Sequence, residues 1–161
     1  YVLSGMIYGF SFVYTPSDKT RQIEEQFELE PVASIRWGDP HLSVVRTRVE
    51  DKNLYVRIRY RLLEYQQPWI DLWRSSSIPI AGGSGDGSFI LGSEGKRTSI
   101  ENAVKESIRN YFRARVHNKP KEIRGEVLFS RPPRTYIRSG AYNTQVRVKL
   151  RTEEVVPYQF Y

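Results

Sequence analysis

Alternation of apolar and polar residues predicts the first two strands of the chain. Between residues 6 and 14 every second residue is large and apolar, the period expected of a strand with one buried face. Pro16 and Asp18 then favour a turn. The alternation returns over residues 21–30, where one side of the predicted strand is mainly acidic and consists of Glu24, Gln26, Glu28 and Glu30.

The clearest hairpin is predicted over residues 42–50 and 54–64, joined through Asp51 and Lys52. We expect one side of this hairpin to face the core, and that side holds Val45, Thr47, Val49, Val56, Ile58, Tyr60 and Leu62. The opposite side is basic and holds Arg46, Arg48, Arg57, Arg59 and Arg61.

One long amphipathic helix is predicted at about residues 99–117. Apolar and small residues recur there at spacings of three and four: Ile100, Ala103, Val104, Ser107, Ile108, Tyr111, Phe112 and Val116. Thr98 and Glu101 fit a capping box at the start, and Pro120 marks the stop. His117 would place a cation in the last turn, where it favours the exposed carbonyls.

Strands are predicted to resume after the helix, over residues 122–130 and 142–152, with a turn at 131–134 and a hairpin around Gly140. In the last strand Val146, Val148 and Leu150 are expected to point inward. The outward side holds Gln145, Arg147, Lys149 and Arg151.

Residues 74–98 contain serines and a run of glycines from Gly82 to Gly87, a composition that predicts a flexible loop. The chain is then either a single domain over 1–161 or two halves, 1–73 and 88–161, joined by this loop. We favour the single domain, because a sheet needs the lone helix to cover one face. The predicted fold is α+β, a mainly antiparallel sheet of about six to eight strands with the helix packed on one face.

Composition agrees with a folded, β-rich chain: 39% of the 161 residues are hydrophobic and 13% aromatic. The net charge of +7 favours anionic partners, and 18 of the 25 basic residues are arginine, which binds carboxylates and phosphates bidentately. With no cysteine, thiolate catalysis and cysteine-ligated metals are excluded. No apolar run is long enough to span a bilayer.

Motifs for catalysis are incomplete. Residues 92–98 lie before the helix as a phosphate-binding loop would, but Ile90 and Arg97 stand where that loop needs Gly and Ser or Thr. His41 and Asp39 could pair beside Pro40, although such residues are commonly turn residues. The two histidines lack metal-ligand spacing, so we predict no metal site and no cofactor.

The basic strand sides are the most unusual feature, because Arg46 and Arg57 are expected almost opposite each other, and like charges across a strand pair are destabilising. One interpretation is a track for a polyanion, formed by Arg46, Arg48, Arg57, Arg59, Arg61, Arg147, Lys149 and Arg151. The other is an internal arginine–glutamate ladder with the acidic strand. We favour the ladder.

The sequence therefore favours a non-catalytic binding or assembly domain with a protein partner. The missing start methionine and the absence of cysteine suit an exported protein, in which case a bacterial cell envelope and the periplasm are the expected setting. A binder of anionic polymers, nucleic acid or acidic polysaccharide, is the alternative. A small α+β enzyme using His41 or a carboxylate is the third possibility.

Overall fold

The computed structural model describes residues 1–51, 53–116 and 118–158. Its helices are α1 (Val2–Ile7), α2 (Gln67–Leu72) and α3 (Ser93–Arg113). Its strands are β1 (Phe10–Thr15), β2 (Gln26–Pro31), β3 (Leu42–Glu50), β4 (Asn53–Tyr60), β5 (Ile80–Ser88), β6 (Glu122–Phe129), β7 (Arg134–Arg138) and β8 (Ala141–Val156). The predicted α+β class, with a long helix packed on a mainly antiparallel sheet, is confirmed.

Six strands form the main sheet, in the order β2-β1-β6-β8-β5, with β7 also paired to β8. Every pairing is antiparallel. The sheet contains strands that precede and strands that follow the glycine-rich residues 82–87. One cluster of buried apolar residues likewise includes residues from before and after them. These observations support the proposal that residues 1–161 fold as one domain.

The core lies between α3 and the inner face of the main sheet. Ile108 and Val104 of α3 are fully buried, as are Phe10 of β1 and Ile123 of β6. The inward direction predicted for Val146, Val148 and Leu150 is confirmed by their burial. Because side chains alternate along a strand, the other face of β8 carries the polar residues Gln145, Arg147, Lys149 and Arg151.

α3 begins earlier than predicted, at Ser93 instead of about residue 99. Gly92 has a φ of 57°, which ends helical geometry on its N-terminal side. Thr98 is already inside the helix, where its hydroxyl donates to the Glu94 carbonyl at 3.0 Å, so it is not the cap. The helix ends at Arg113, and the cation predicted at His117 lies outside the described residues.

The predicted glycine loop is wrong over residues 80–88, which form the edge strand β5 paired along its length with β8. Gly83, Gly85 and Gly87 face α3, and a Cβ added at any of the three would overlap the helix backbone. The glycines therefore allow the helix to approach β5 more closely than any side chain would permit. Composition alone suggested mobility because it does not reveal this packing.

The start of the chain also differs from the prediction. Residues 2–7 form α1, and the first strand begins only at Phe10, after Gly9 with a φ of 80°. Gly5 of α1 lies so close to the rings of Phe10 and Phe129 that a Cβ there would overlap both. This contact holds the short helix against the core. Across the described ranges, no helix has the length and hydrophobicity to cross a membrane.

Candidate binding surface

β3 and β4 form a two-stranded sheet of their own. The prediction that one side of this hairpin faces the core is wrong, since Val49 is 73% exposed and Leu54 64% exposed. Alternation identified most of the apolar side, but Val45 lies at a bulge and Leu62 follows the end of β4, so neither belongs to it. Nor could alternation indicate whether another element covers that side. We call it the apolar face; it consists of Leu42, Val44, Thr47, Val49, Leu54, Val56, Ile58 and Tyr60.

A bulge shifts the register of β3 between Val44 and Arg46. The bulge leaves Val45 without a partner on β4, so this residue drops out of the apolar alternation to which it was assigned. After the bulge Arg46 lies directly opposite Arg57, and Arg48 lies opposite Tyr55. The bulge is what brings the arginines of the two strands onto one side.

The side opposite the apolar face is the arginine face, defined as Arg46, Arg48, Arg57 and Arg59. The Arg48 guanidinium lies 5.2 Å from the centre of the Tyr55 ring, a cation–π arrangement. A shallow cavity of about 280 Å³ lies among Arg46, Arg48, Arg57 and Tyr55. Arg61 follows β4, and its backbone N–H donates to the His41 carbonyl at 3.0 Å.

The predicted internal arginine–glutamate ladder is wrong. Among the described residues, Arg48 is the one member of the arginine face with an ion pair, to Glu50 at 2.9 Å. The acidic strand β2 pairs with β1 at the far edge of the main sheet and not with the hairpin. The repulsion between Arg46 and Arg57 is therefore not offset by carboxylates of the described chain.

The basic residues of β8 lie in the main sheet and do not extend the arginine face. The Lys149 ammonium donates to the Trp73 carbonyl. The Arg151 guanidinium lies 3.3 Å from the Glu126 carboxylate and 5.5 Å from the centre of the Trp73 ring. Lys149 and Arg151 therefore hold the segment after α2 against the sheet, whereas Arg147 is exposed.

Asp39 and His41 are brought together at the base of the hairpin. The Asp39 carboxylate accepts from the His41 backbone N–H at 2.8 Å and from the Tyr60 hydroxyl at 3.4 Å. The bond from the His41 N–H holds the pKa of Asp39 below its ordinary value. The buried Gln66 amide donates to the hydroxyls of Tyr60 and Tyr8, at 3.0 and 2.7 Å. We therefore interpret the His41–Asp39 pair as part of a hydrogen-bond network that attaches the base of the hairpin, through Gln66, to Tyr8.

A second cluster of charged groups lies between α3 and β1. The Glu25 carboxylate accepts from the Tyr14 hydroxyl at 2.8 Å and pairs with Lys105 at 3.1 Å. Burial, together with the adjacent carboxylate, raises the pKa of Tyr14 far above its ordinary value. Burial acts to raise the pKa of Glu25 as well, but the bonds from Tyr14 and Lys105 together lower it. Tyr14 and Lys105 are thus each paired with Glu25.

Sequence reasoning missed two surface features. β2 forms an edge of the main sheet, which leaves Glu28 and Glu30 exposed, and neither makes an ion pair with another described residue. Trp37, in the connection before β3, is 100% exposed. The charge of the acidic strand was visible in the sequence, but its edge position depends on the strand order.

Within the described residues, no three histidine or carboxylate side chains lie close enough to hold a metal ion.

Comparison with known proteins finds a relative and a matching protein family. An uncharacterized protein of Treponema pallidum (strain Nichols) is 26% identical over 161 residues, which cover 100% of this chain and 68% of the relative. No solved structure matches the chain. A protein-family model matches residues 1–158, and the chain belongs to that family.

Proposed function

We propose that the chain is a non-catalytic binding or assembly domain and that its β3–β4 hairpin carries the contact with a protein partner. The observation that supports this proposal is the exposure of both hairpin faces. The apolar face alone places Val44, Val49 and Leu54 more than half in solvent. Exposed apolar surface of this kind, beside polar residues, is typical of protein interaction sites.

The two faces of the hairpin indicate the chemistry expected of the partner's surface. Burial of the apolar face favours association through the hydrophobic effect, and carboxylates on the partner would relieve the repulsion between Arg46 and Arg57. The attachment at Tyr60 and Gln66 fixes the base of the hairpin, so that less conformational freedom is lost when the partner binds.

A site-specific photo-crosslinker tests this proposal in the cells that make the protein. Placed at Val49 on the apolar face, the crosslinker is expected to give a discrete adduct with protein. The matched control is Gln145, exposed on the outer face of β8, where no such adduct is expected. Equal labelling at both positions, or none at Val49, would refute a partner contact through the hairpin.

The second candidate function is binding of an anionic polymer, nucleic acid or acidic polysaccharide. The arginine face favours it, because Arg46, Arg57 and Arg59 lack carboxylate partners among the described residues. Alternate residues along a strand are about 7 Å apart, a spacing at which arginines can contact successive phosphates. Adducts with nucleic acid or polysaccharide from a crosslinker beside the arginines would support this function.

A further inference from the structure

The outer edge of β2 offers an acidic site for strand addition. β2 is the terminal strand of the main sheet and, within the described residues, pairs only with β1. Glu28 and Glu30 point to the solvent side of this edge, while Phe27 and Leu29 are half-buried against the core. A strand added here must therefore carry cations on one side and apolar residues on the other.

β4 is a regular strand with that pattern. Arg57 and Arg59 lie on one side of it, and Ile58 and Tyr60 lie on the other. Its outer edge has no strand partner in the described part of the chain. β3, the other strand of the hairpin, carries the bulge at Val45, and bulges hinder edge-to-edge pairing. β4 is therefore the better edge for adding the hairpin to another sheet.

We propose that β4 of one copy of this chain adds to the β2 edge of a second copy. In an antiparallel register Arg57 lies opposite Glu30, which places Arg59 opposite Glu28 and Ile58 opposite Leu29. Because side chains alternate, the pairing that matches the charges also matches the apolar sides. The arginine–glutamate ladder between the hairpin and β2, absent among the described residues of one chain, then forms between two.

A second copy fits this edge because the chain itself supplies both complementary surfaces. The two surfaces differ, so the contact is heterologous, and repeated contacts form a ring or an open chain of subunits. Strand addition also supplies main-chain hydrogen bonds, which charge pairing alone does not. The inference rests on the proposed function and identifies its protein partner.

Sedimentation of the purified full chain tests the inference. We expect an oligomer at about 0.05 M NaCl and dissociation towards the 18.9 kDa monomer at about 0.5 M NaCl, because exposed charges are screened by salt. Arg57→Glu with Arg59→Glu, and separately Glu28→Arg with Glu30→Arg, should each weaken association by about tenfold or more. The matched control, Arg134→Glu with Arg138→Glu on the exposed part of β7, should associate like the wild type.

Mixing the two reversed variants separates a specific contact from misfolding. Each variant alone places like charges across the contact, whereas the mixture restores opposite charges, so association should return only on mixing. Thermal unfolding of each variant verifies that it is folded. Rescue by mixing supports the inference, and a monomeric wild type or failure of rescue between folded variants overturns it. If the wild type is monomeric but Val49 is crosslinked to a different protein, this inference is overturned and the proposed function is not. If Val49 gives no adduct with any protein, the proposed function is overturned too.

Discussion

At the scale of single residues, the alternating glycines of β5 decide how closely α3 approaches the sheet. A Cβ at Gly85 would overlap the backbone of Asn102 and Ala103, whereas one at Gly82 would have its nearest contact at 3.8 Å, from the Val146 carbonyl. The two positions belong to the same strand but point to opposite faces. They therefore provide a matched pair for substitution.

We expect Gly85→Ala to lower the free energy of unfolding by about 1–3 kcal/mol, because the helix must shift to accept the methyl group. Gly82→Ala should leave stability unchanged or raise it slightly, since alanine restricts the unfolded chain more than glycine does. Urea unfolding of the two variants and the wild type measures both effects. Equal stability of the two variants would contradict the close packing of α3 on β5.

Glu25 gives the protein a predictable response to acid. Its folded-state pKa lies below the ordinary value of 4.5, since the bonds from Tyr14 and Lys105 outweigh the opposing effect of burial. The unfolded chain therefore binds a proton more readily than the folded chain. The stabilisation is fully present above about pH 4.5 and is lost as the pH falls through the folded-state pKa.

Glu25→Gln is accordingly expected to flatten the dependence of unfolding free energy on pH below about pH 4.5. Glu24→Gln is the control, because Glu24 is exposed and makes no ion pair within the described ranges. Urea unfolding at several pH values between about 3 and 6 measures the two slopes. If both variants keep the wild-type slope, Glu25 does not contribute to acid stability.

At the scale of elements, the hairpin combines strong strand propensity with an unfavourable charge arrangement. Arg57 faces Arg46 across the strand pair, while Arg59 faces the neutral Ser43. Like charges in direct opposition destabilise a strand pair by a few tenths to about 1 kcal/mol. The hairpin thus retains a local repulsion that a partner carrying carboxylates would remove.

Arg57→Gln should therefore slow hydrogen exchange of the β3 and β4 amides, by the equivalent of about 0.2–1 kcal/mol in opening free energy. Arg59→Gln, its control, should leave exchange close to that of the wild type. The measurement is made at a concentration where the chain is monomeric, and the gain should shrink as salt is added. Faster exchange in Arg57→Gln would indicate that Arg57 has a stabilising partner.

Sequence patterns predicted the individual helices and strands better than they predicted which elements pack against each other. The periodicity of residues 99–113 located most of α3, and the alternation of the last strand oriented Val146 and Val148 correctly. The same alternation in β3 and β4 misplaced the hairpin, because a period of two identifies an apolar side without specifying what covers it. The candidate surface depends on strand order, and strand order arises from long-range pairing that no local pattern contains.

At the scale of the whole molecule, the net charge of +7 provides a non-specific attraction to polyanions that must be separated from any contribution of the arginine face. Changing Arg57, Arg59 and Arg61 to Gln removes three charges from the hairpin. Changing Arg131, Arg134 and Arg138 to Gln removes three from another exposed surface. The two triple variants have the same net charge, so a difference between them reports location alone.

We expect both triple variants to lose affinity for duplex DNA and heparin to a similar extent. In the proposed protein contact the arginine face binds carboxylates of the partner, so polyanion affinity should depend on net charge and not on the location of the arginines. Neither should be destabilised by more than about 0.5 kcal/mol, since these arginines make no ion pair with the described residues. Titrations across a range of salt concentrations measure the affinities and their salt slopes. If the hairpin variant alone loses about one unit of slope per arginine removed, the arginine face binds successive phosphates or sulfates, and the polyanion function takes precedence over assembly.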